Sequence, residues 1–372
     1  MIKRFLTLFF LCIFFTGCGY KDEKVVRITF STWGSVSELN ILKPIISDFE
    51  KQNPGIKVTL QHIPQDYFKK LHLLFASNLE PDVIFVNNLN LPVYSNRLID
   101  LTDKFDDKLY YSQGIKCLSV ADKIYAIPRD ISVLIVYYNK DLFNKYGIPY
   151  PDKNWKIEDL KKTAQKLTDK NHFGISFEPN IYYAMPYIRY FNSDILDTDL
   201  NLQTDKKEFL KDINYYKNFA YKYHIAPIPS QVGSKTLAQM FIEKKIAMHI
   251  SGRWLTPKYR QSADFNWDIV NFPNCSAPTD ASGWAITKAS KHKNEALKFI
   301  MFLSSKENIS KMTKEGLIIP ARKDVANSKY FLNGKPDNSE LFIYAIENST
   351  ITNVNKKYNK IVDELNDKYF SE

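Results

Sequence analysis

The chain of 372 residues is 44% hydrophobic and 14% aromatic, enough for a sizeable core and far from the make-up of disordered segments. Its formal charge is +10, but the lysines lie in mixed runs such as Asp205-Lys206-Lys207-Glu208, with no basic stripe interleaved with aromatics. That pattern excludes nucleic acid as a partner and leaves a solvated, lysine-rich surface.

Lys3 and Arg4 precede an apolar run from Phe5 to Phe15 that is interrupted only by Thr7. At about eleven residues the run is too short for a membrane-spanning helix, which needs about twenty. Residues 1–17 therefore read as a secretory signal. The stretch Phe15-Thr16-Gly17-Cys18 resembles the bacterial lipobox, which implies that Cys18 is lipidated, typically with palmitate, and anchors the chain to the cell membrane. Phe15 departs from the usual leucine of that motif. Residues 18–24 read as a charged tether.

The body opens with a predicted strand, Val25 to Phe30, ending at Ser31-Thr32-Trp33-Gly34. Ser35 and Glu38 have capping-box spacing, and Leu42, Ile45, Ile46 and Phe49 mark one face of a helix. Asn53-Pro54-Gly55 ends it, and Ile56 to Leu60 alternates as a second strand. A helix around Tyr67 to Ser77 leads to Pro81-Asp82-Val83-Ile84-Phe85-Val86, a strand apolar enough for burial on both faces. This alternation of strand and helix predicts mostly parallel sheets flanked by helices. The grammar recurs with a strand from Ser132 to Tyr138, a helix through Ile157, Leu160, Ala164 and Leu167, and a helix from Leu237 to Glu243. A strand from Ile246 to Ile250 and a helix carrying Ala296, Phe299, Ile300 and Leu303 follow. Two α/β domains on a tether result. Beyond the leader and Cys18, two cysteines remain, Cys117 and Cys275; their spacing suggests no metal site, and either a disulfide or two separate thiols fits.

Several fragments in order resemble family 1 of the extracellular solute-binding proteins, the group that contains maltose- and other sugar-binding proteins. They are Ile28-Thr29-Phe30-Ser31-Thr32-Trp33, Phe49 through Val58, Pro81-Asp82-Val83, and Tyr125-Ala126-Ile127-Pro128 leading into Tyr138-Asn139-Lys140-Asp141-Leu142-Phe143. Met240 through Met248, Gly252-Arg253-Trp254, Gly283-Trp284-Ala285-Ile286 and Ile319-Pro320-Ala321-Arg322 complete the set. The resemblance implies an α/β, two-lobed periplasmic-binding-protein-like fold of type II, with a ligand cleft between the lobes. It places crossings near Pro128, between Phe272 and Gly283, and near Gly316 to Arg322. Lobe 1 would be 25–128 plus 283–318, and lobe 2 129–282 plus 319–372. The implied function is the binding component of an ABC importer, a monomer that captures a sugar, closes about its hinge and delivers to the permease.

A sugar needs flat aromatic platforms and planar hydrogen-bonding groups. Open α/β sheets hold ligands beyond the carboxyl ends of their strands, which points to Trp33, to Asn87 and Asn88, and to Trp254. In the resembled family a tryptophan at the place of Trp254 often stacks on a sugar ring. Trp284 stands where the family often carries a glycine-rich crossing, and lines the cleft on this reading. Asn87 and Asn88 bond hydroxyls or simply make a turn. Asp130 accepts from hydroxyls or lies at the surface, and Arg322 reaches the cleft or bridges the lobes. Asp82 reads as structural.

Enzyme chemistry finds no support: there is no G-x-S-x-G elbow, no P-loop and no carboxylate pair set apart from its neighbours. The six histidines lack zinc-type spacing, so neither a metal nor another cofactor is expected. Within the same fold, polyamine, peptide or iron remain alternative ligands, and a secreted glycan-active enzyme remains the alternative outside it.

Overall fold

A computed structural model describes residues 25–371; the signal 1–17, Cys18 and the tether 18–24 lie outside the described residues. In chain order the strands are β1 (Val26–Thr32), β2 (Ile56–His62), β3 (Val83–Asn87), β4 (Ser119–Val120), β5 (Lys123–Ile124) and β6 (Ile127–Ser132). They continue as β7 (Ile135–Asn139), β8 (Phe173–Ile175), β9 (Ile246–Ser251), β10 (Trp267–Asn271), β11 (Asp280–Ile286) and β12 (Ile319–Pro320). A six-stranded sheet runs β12-β6-β11-β3-β1-β2, a four-stranded sheet runs β10-β7-β9-β8, and β4 with β5 makes a small hairpin. Each large sheet is the centre of one lobe.

The first helix shows how local sequence sets these elements. The Glu38 N–H donates to Ser35 Oγ at 3.3 Å, and the Ser35 N–H donates to Glu38 Oε2 at 2.9 Å, so the box closes over the start of Val36–Gln52. Ile45, Ile46 and Phe49 form its buried face. Phe49 meets the ring of Phe299 at 5.0 Å, and Phe299 meets Phe30 of β1 at 5.4 Å. Asn53 then caps the end by donating Nδ2–H to the Phe49 carbonyl at 2.8 Å.

Strand β3 is sealed on both sides, as its sequence predicts. Val83 and Phe85 face a core shared with Phe30 and Phe49, while Ile84 and Val86 face a second core with Leu71 and Phe75. Asp82 stands just before the strand and accepts from the Thr29 N–H at 2.8 Å and from the Ser290 hydroxyl at 2.6 Å. It closes the loop, and it is structural.

The expectation of mostly parallel sheets is corrected to mixed ones. β1 pairs with β2 and β3 in parallel, and β8 with β9, but β11 runs against both β3 and β6, and β7 runs against both β9 and β10. The cause is the connectivity. β6 leaves the six-stranded sheet at Ser132, and Ile135 opens the other sheet only three residues later. β11 returns from the four-stranded side and so enters the first sheet in the opposite sense to β3. Helix-and-strand alternation in sequence does not record such returns.

At this return the backbones come very close. A β-carbon on Gly283 would lie 2.2 Å from the Ile127 carbonyl oxygen, beside the register shift between Ser282 and Gly283. We expect Gly283→Ala to destabilise the protein by about 2 kcal/mol through overpacking, read as a lower urea midpoint. An unchanged midpoint would mean that β6 and β11 can part at no cost.

The two passages are also knotted by side chains. Asn88, just past β3, donates Nδ2–H to Asp280 Oδ1 at 2.8 Å and accepts from the Ala281 N–H at 3.1 Å. The Thr352 hydroxyl donates to the same Asp280 oxygen at 2.6 Å. Cys117 and Cys275 are both buried, unpaired thiols.

Candidate ligand-binding site

The carboxyl end of β1 delivers Thr32, which is buried, and Trp33, which is partly so. The indole of Trp33 is wedged among aromatic rings, with Phe85 at 4.3 Å, Tyr67 at 5.0 Å and Phe68 at 5.3 Å between centroids. Beside it, the Arg129 guanidinium lies over the Phe85 ring at 4.2 Å. Arg129 Nε–H donates to Asp130 Oδ1 at 2.6 Å and Nη1–H to Glu38 Oε1 at 3.5 Å. Glu38 thus has two duties: one carboxylate oxygen caps the helix and the other faces the arginine. Trp284 comes in from β11, only 2% exposed, its ring 6.2 Å from Phe85.

Trp33, Trp284, Arg129, Glu38 and Thr32 together wall a narrow pocket of ≈ 30 Å³, closed by aliphatic side chains such as Leu42 and Ile318. Its electrostatics are set by desolvation. Burial works against the charge of Arg129, but Asp130 and Glu38 outweigh it and hold its pKa above the ordinary value. Burial raises the pKa of Asp130, with Arg129 pulling against it. An arginine shared by two carboxylates makes a fixed fork of donors and acceptors, suited to holding hydroxyls rather than to shuttling protons.

The second sheet offers a different surface. β9 ends at Ser251, and a short turn of 3₁₀ helix, Arg253–Leu255, follows. Arg253 turns inward, its guanidinium 4.1 Å from the Phe331 ring and 5.1 Å from that of Phe342, and burial lowers its pKa to about 9. Trp254 turns outward and is 39% exposed. Beyond the end of β8, burial raises the pKa of the Glu178 carboxyl; Tyr183 lies beside both Glu178 and Ser251.

The seven candidate residues therefore have different fates. Trp33 and Trp284 share the pocket, and Asp130 stands beside it on Arg129. Trp254 stands apart from that lining, open to solvent at the other sheet. Asn87 makes turn chemistry, its Oδ1 accepting from the Asn90 N–H at 3.1 Å and from Asn90 Nδ2 at 2.9 Å. Asn88 is 1% exposed with both ends of its amide engaged in the crossing, so it has no free group for a ligand. Arg322 forks onto Asp324 at 3.0 and 2.9 Å and gives its third contact to the Ser304 carbonyl at 3.2 Å; it ties the last crossing to a neighbouring helix. The sequence reading missed Arg129, Glu38, Glu178 and Tyr183. Glu38 was visible only as a cap, and β8, three residues long, is too short to show a period. Among the described residues no group of three or more His, Cys, Asp or Glu is placed to hold a metal ion, and no helix is long and apolar enough to cross a membrane.

The sequence pattern of the bacterial extracellular solute-binding proteins matches residues 33–309. The galactooligosaccharide-binding protein of Bacillus subtilis is 24% identical over 352 residues, covering 86% of this chain and 81% of that protein. An ABC substrate-binding protein of Listeria monocytogenes, solved in complex with cycloalternan, is 28% identical and superimposes with a TM-score of 0.83 over 92% of both chains. The maltose-bound MalE3 of T. maritima, 21% identical, shares the fold with a TM-score of 0.80 over 93% of this chain and 94% of its own.

Proposed function

Because the chain belongs to the bacterial extracellular solute-binding proteins, we propose that it is the binding component of an ABC importer that captures a sugar or oligosaccharide by hinge closure and delivers it to the permease. One observation carries this reading. Two indoles, Trp33 and Trp284, wall a pocket whose polar side is the Arg129 fork, while a third, Trp254, is exposed at the carboxyl end of a strand in the other lobe. Flat apolar faces beside planar hydrogen-bonding groups match the two kinds of surface that a pyranose presents. The names of the relatives, for galactooligosaccharides and for a complex with cycloalternan, point the same way.

The lobes, expected as 25–128 plus 283–318 and 129–282 plus 319–372, would instead exchange at 133–134, just before Asp280 and just after Pro320, because β6, β11 and β12 lie in the six-stranded sheet, and they would close about those crossings. Closure stabilises the form in which Trp254 and the Arg129 pocket meet the same molecule. Trp33, Asp130, Trp254 and Trp284, with Glu38, Arg129, Glu178 and Tyr183, form the proposed contact set. The chain acts as a monomer without catalysis, held to the cell membrane by lipid on Cys18. An intact mass of the detergent-extracted protein that matches the unmodified chain would remove the anchor.

The ligand class is tested by thermal-shift screening of the purified body against maltotriose, raffinose, spermidine and oligopeptides. A ligand that binds only the folded state raises the melting temperature by mass action. Stabilisation by a saccharide is the expected result. Stabilisation by spermidine or peptide alone would replace the sugar, and turnover of a saccharide would replace the transport reading with an enzyme.

A further inference from the structure

The reading of Trp254 as a platform leaves open what holds that platform in one orientation, and the residue beneath it answers this. Gly252 sits at φ −92° and ψ 175°, ordinary extended backbone open to any residue. A β-carbon there would nonetheless lie 1.9 Å from Trp254 Cζ3 and 2.3 Å from Cε3 and Cη2. The six-membered ring of the indole is thus folded back directly over the Gly252 Cα, with one face covered and the other turned outward. We propose that Gly252 is a positioning residue, the seat that aims Trp254 at the ligand.

The surrounding contacts make the ring, not the chain, the part that must yield to a side chain at position 252. The Gly252 carbonyl accepts from the Tyr137 hydroxyl at 3.1 Å, and that hydroxyl is also bonded to Thr256 Oγ1 at 2.9 Å. The next residue, Arg253, is 2% exposed and clamped on Phe331 and Phe342. Backbone on either side of the glycine is therefore pinned from inside the lobe. The exposed indole has solvent to swing into, and a methyl group at 252 displaces it at little cost in stability. A ring so displaced no longer offers its face in the direction set by the turn. Pre-organisation of this kind raises affinity because the platform need not be ordered on binding.

The inference rests on the sugar-platform reading, and the test separates the two. Protein labelled with 5-fluorotryptophan gives signals from five tryptophans, and Trp254→Phe identifies the one of interest. In Gly252→Ala that signal alone is expected to move, with the melting temperature within about 2 °C of the parent. With raffinose and maltotriose as probes, Gly252→Ala is expected to weaken binding about as much as Trp254→Ala, roughly tenfold. The double variant, in which the methyl has no ring to meet, is expected to bind no more weakly than either single one. An unmoved fluorine signal overturns the seat whatever the sugars do. A moved signal with sugar bound as by the parent, while Trp254→Ala binds weakly, overturns the positioning role. If Trp254→Ala binds both sugars as the parent does, the platform reading fails and the seat remains only a feature of the fold.

Discussion

Trp254→Ala is expected to weaken sugar binding tenfold or more while leaving the melting temperature unchanged. The ring is 39% exposed and buries little of the lobe's core, so its removal opens no cavity. What is lost is stacking, worth about 1.4 kcal/mol, which corresponds to a factor of ten in affinity. Calorimetric titration of the screened saccharide measures it. Unchanged affinity would take Trp254 out of the site and leave the contact to the Arg129 pocket and to Glu178 and Tyr183 of the other sheet.

Arg129→Leu is expected to have the larger effect, on folding as well as on binding. Arg129 is the partner of Asp130 at 2.6 Å, the two side chains being only 15% and 14% exposed. Removing the cation strands a buried carboxylate, which costs about 3 kcal/mol or more. The sign of the pH dependence follows. Burial already holds the Asp130 pKa above its ordinary value with the arginine present, and without it the pKa rises further. A carboxyl whose pKa is higher folded than unfolded takes up protons more readily when folded, so stability rises as pH falls toward the folded pKa. The deficit of the variant, from urea denaturation, should therefore be greatest near about pH 8 and shrink toward about pH 5. A deficit independent of pH would mean that lost packing on Phe85, and not the stranded charge, is the cost.

Legibility in the sequence followed the range of the interaction. The Ser35–Glu38 box, the two-faced strand β3 and the helices through Phe49, Leu160 and Phe299 depend on neighbours a few positions away, and their patterns appear in the sequence. Trp33 and Trp254 were expected just beyond strand ends because a general rule about such ends needs only the strands, and both stand there. Asn88 and Arg322 were offered to the ligand by that rule or by resemblance; Arg322 is taken up by its near neighbour Asp324, whereas for Asn88 a residue far along the chain, Asp280, decides what it touches. Arg129 escaped notice for the same reason: nothing adjacent to it shows that Glu38 lies across from it. Strand direction in the six-stranded sheet likewise depends on where the chain comes back from.

That return has a consequence for biogenesis. The Asn88–Asp280 hydrogen bond spans 192 positions, and until β11 arrives β3 has one flank without a neighbour. The early third of the polypeptide cannot mature alone while the rest is still being made. Contacts of such sequence separation form slowly, so the six-stranded sheet closes late in folding.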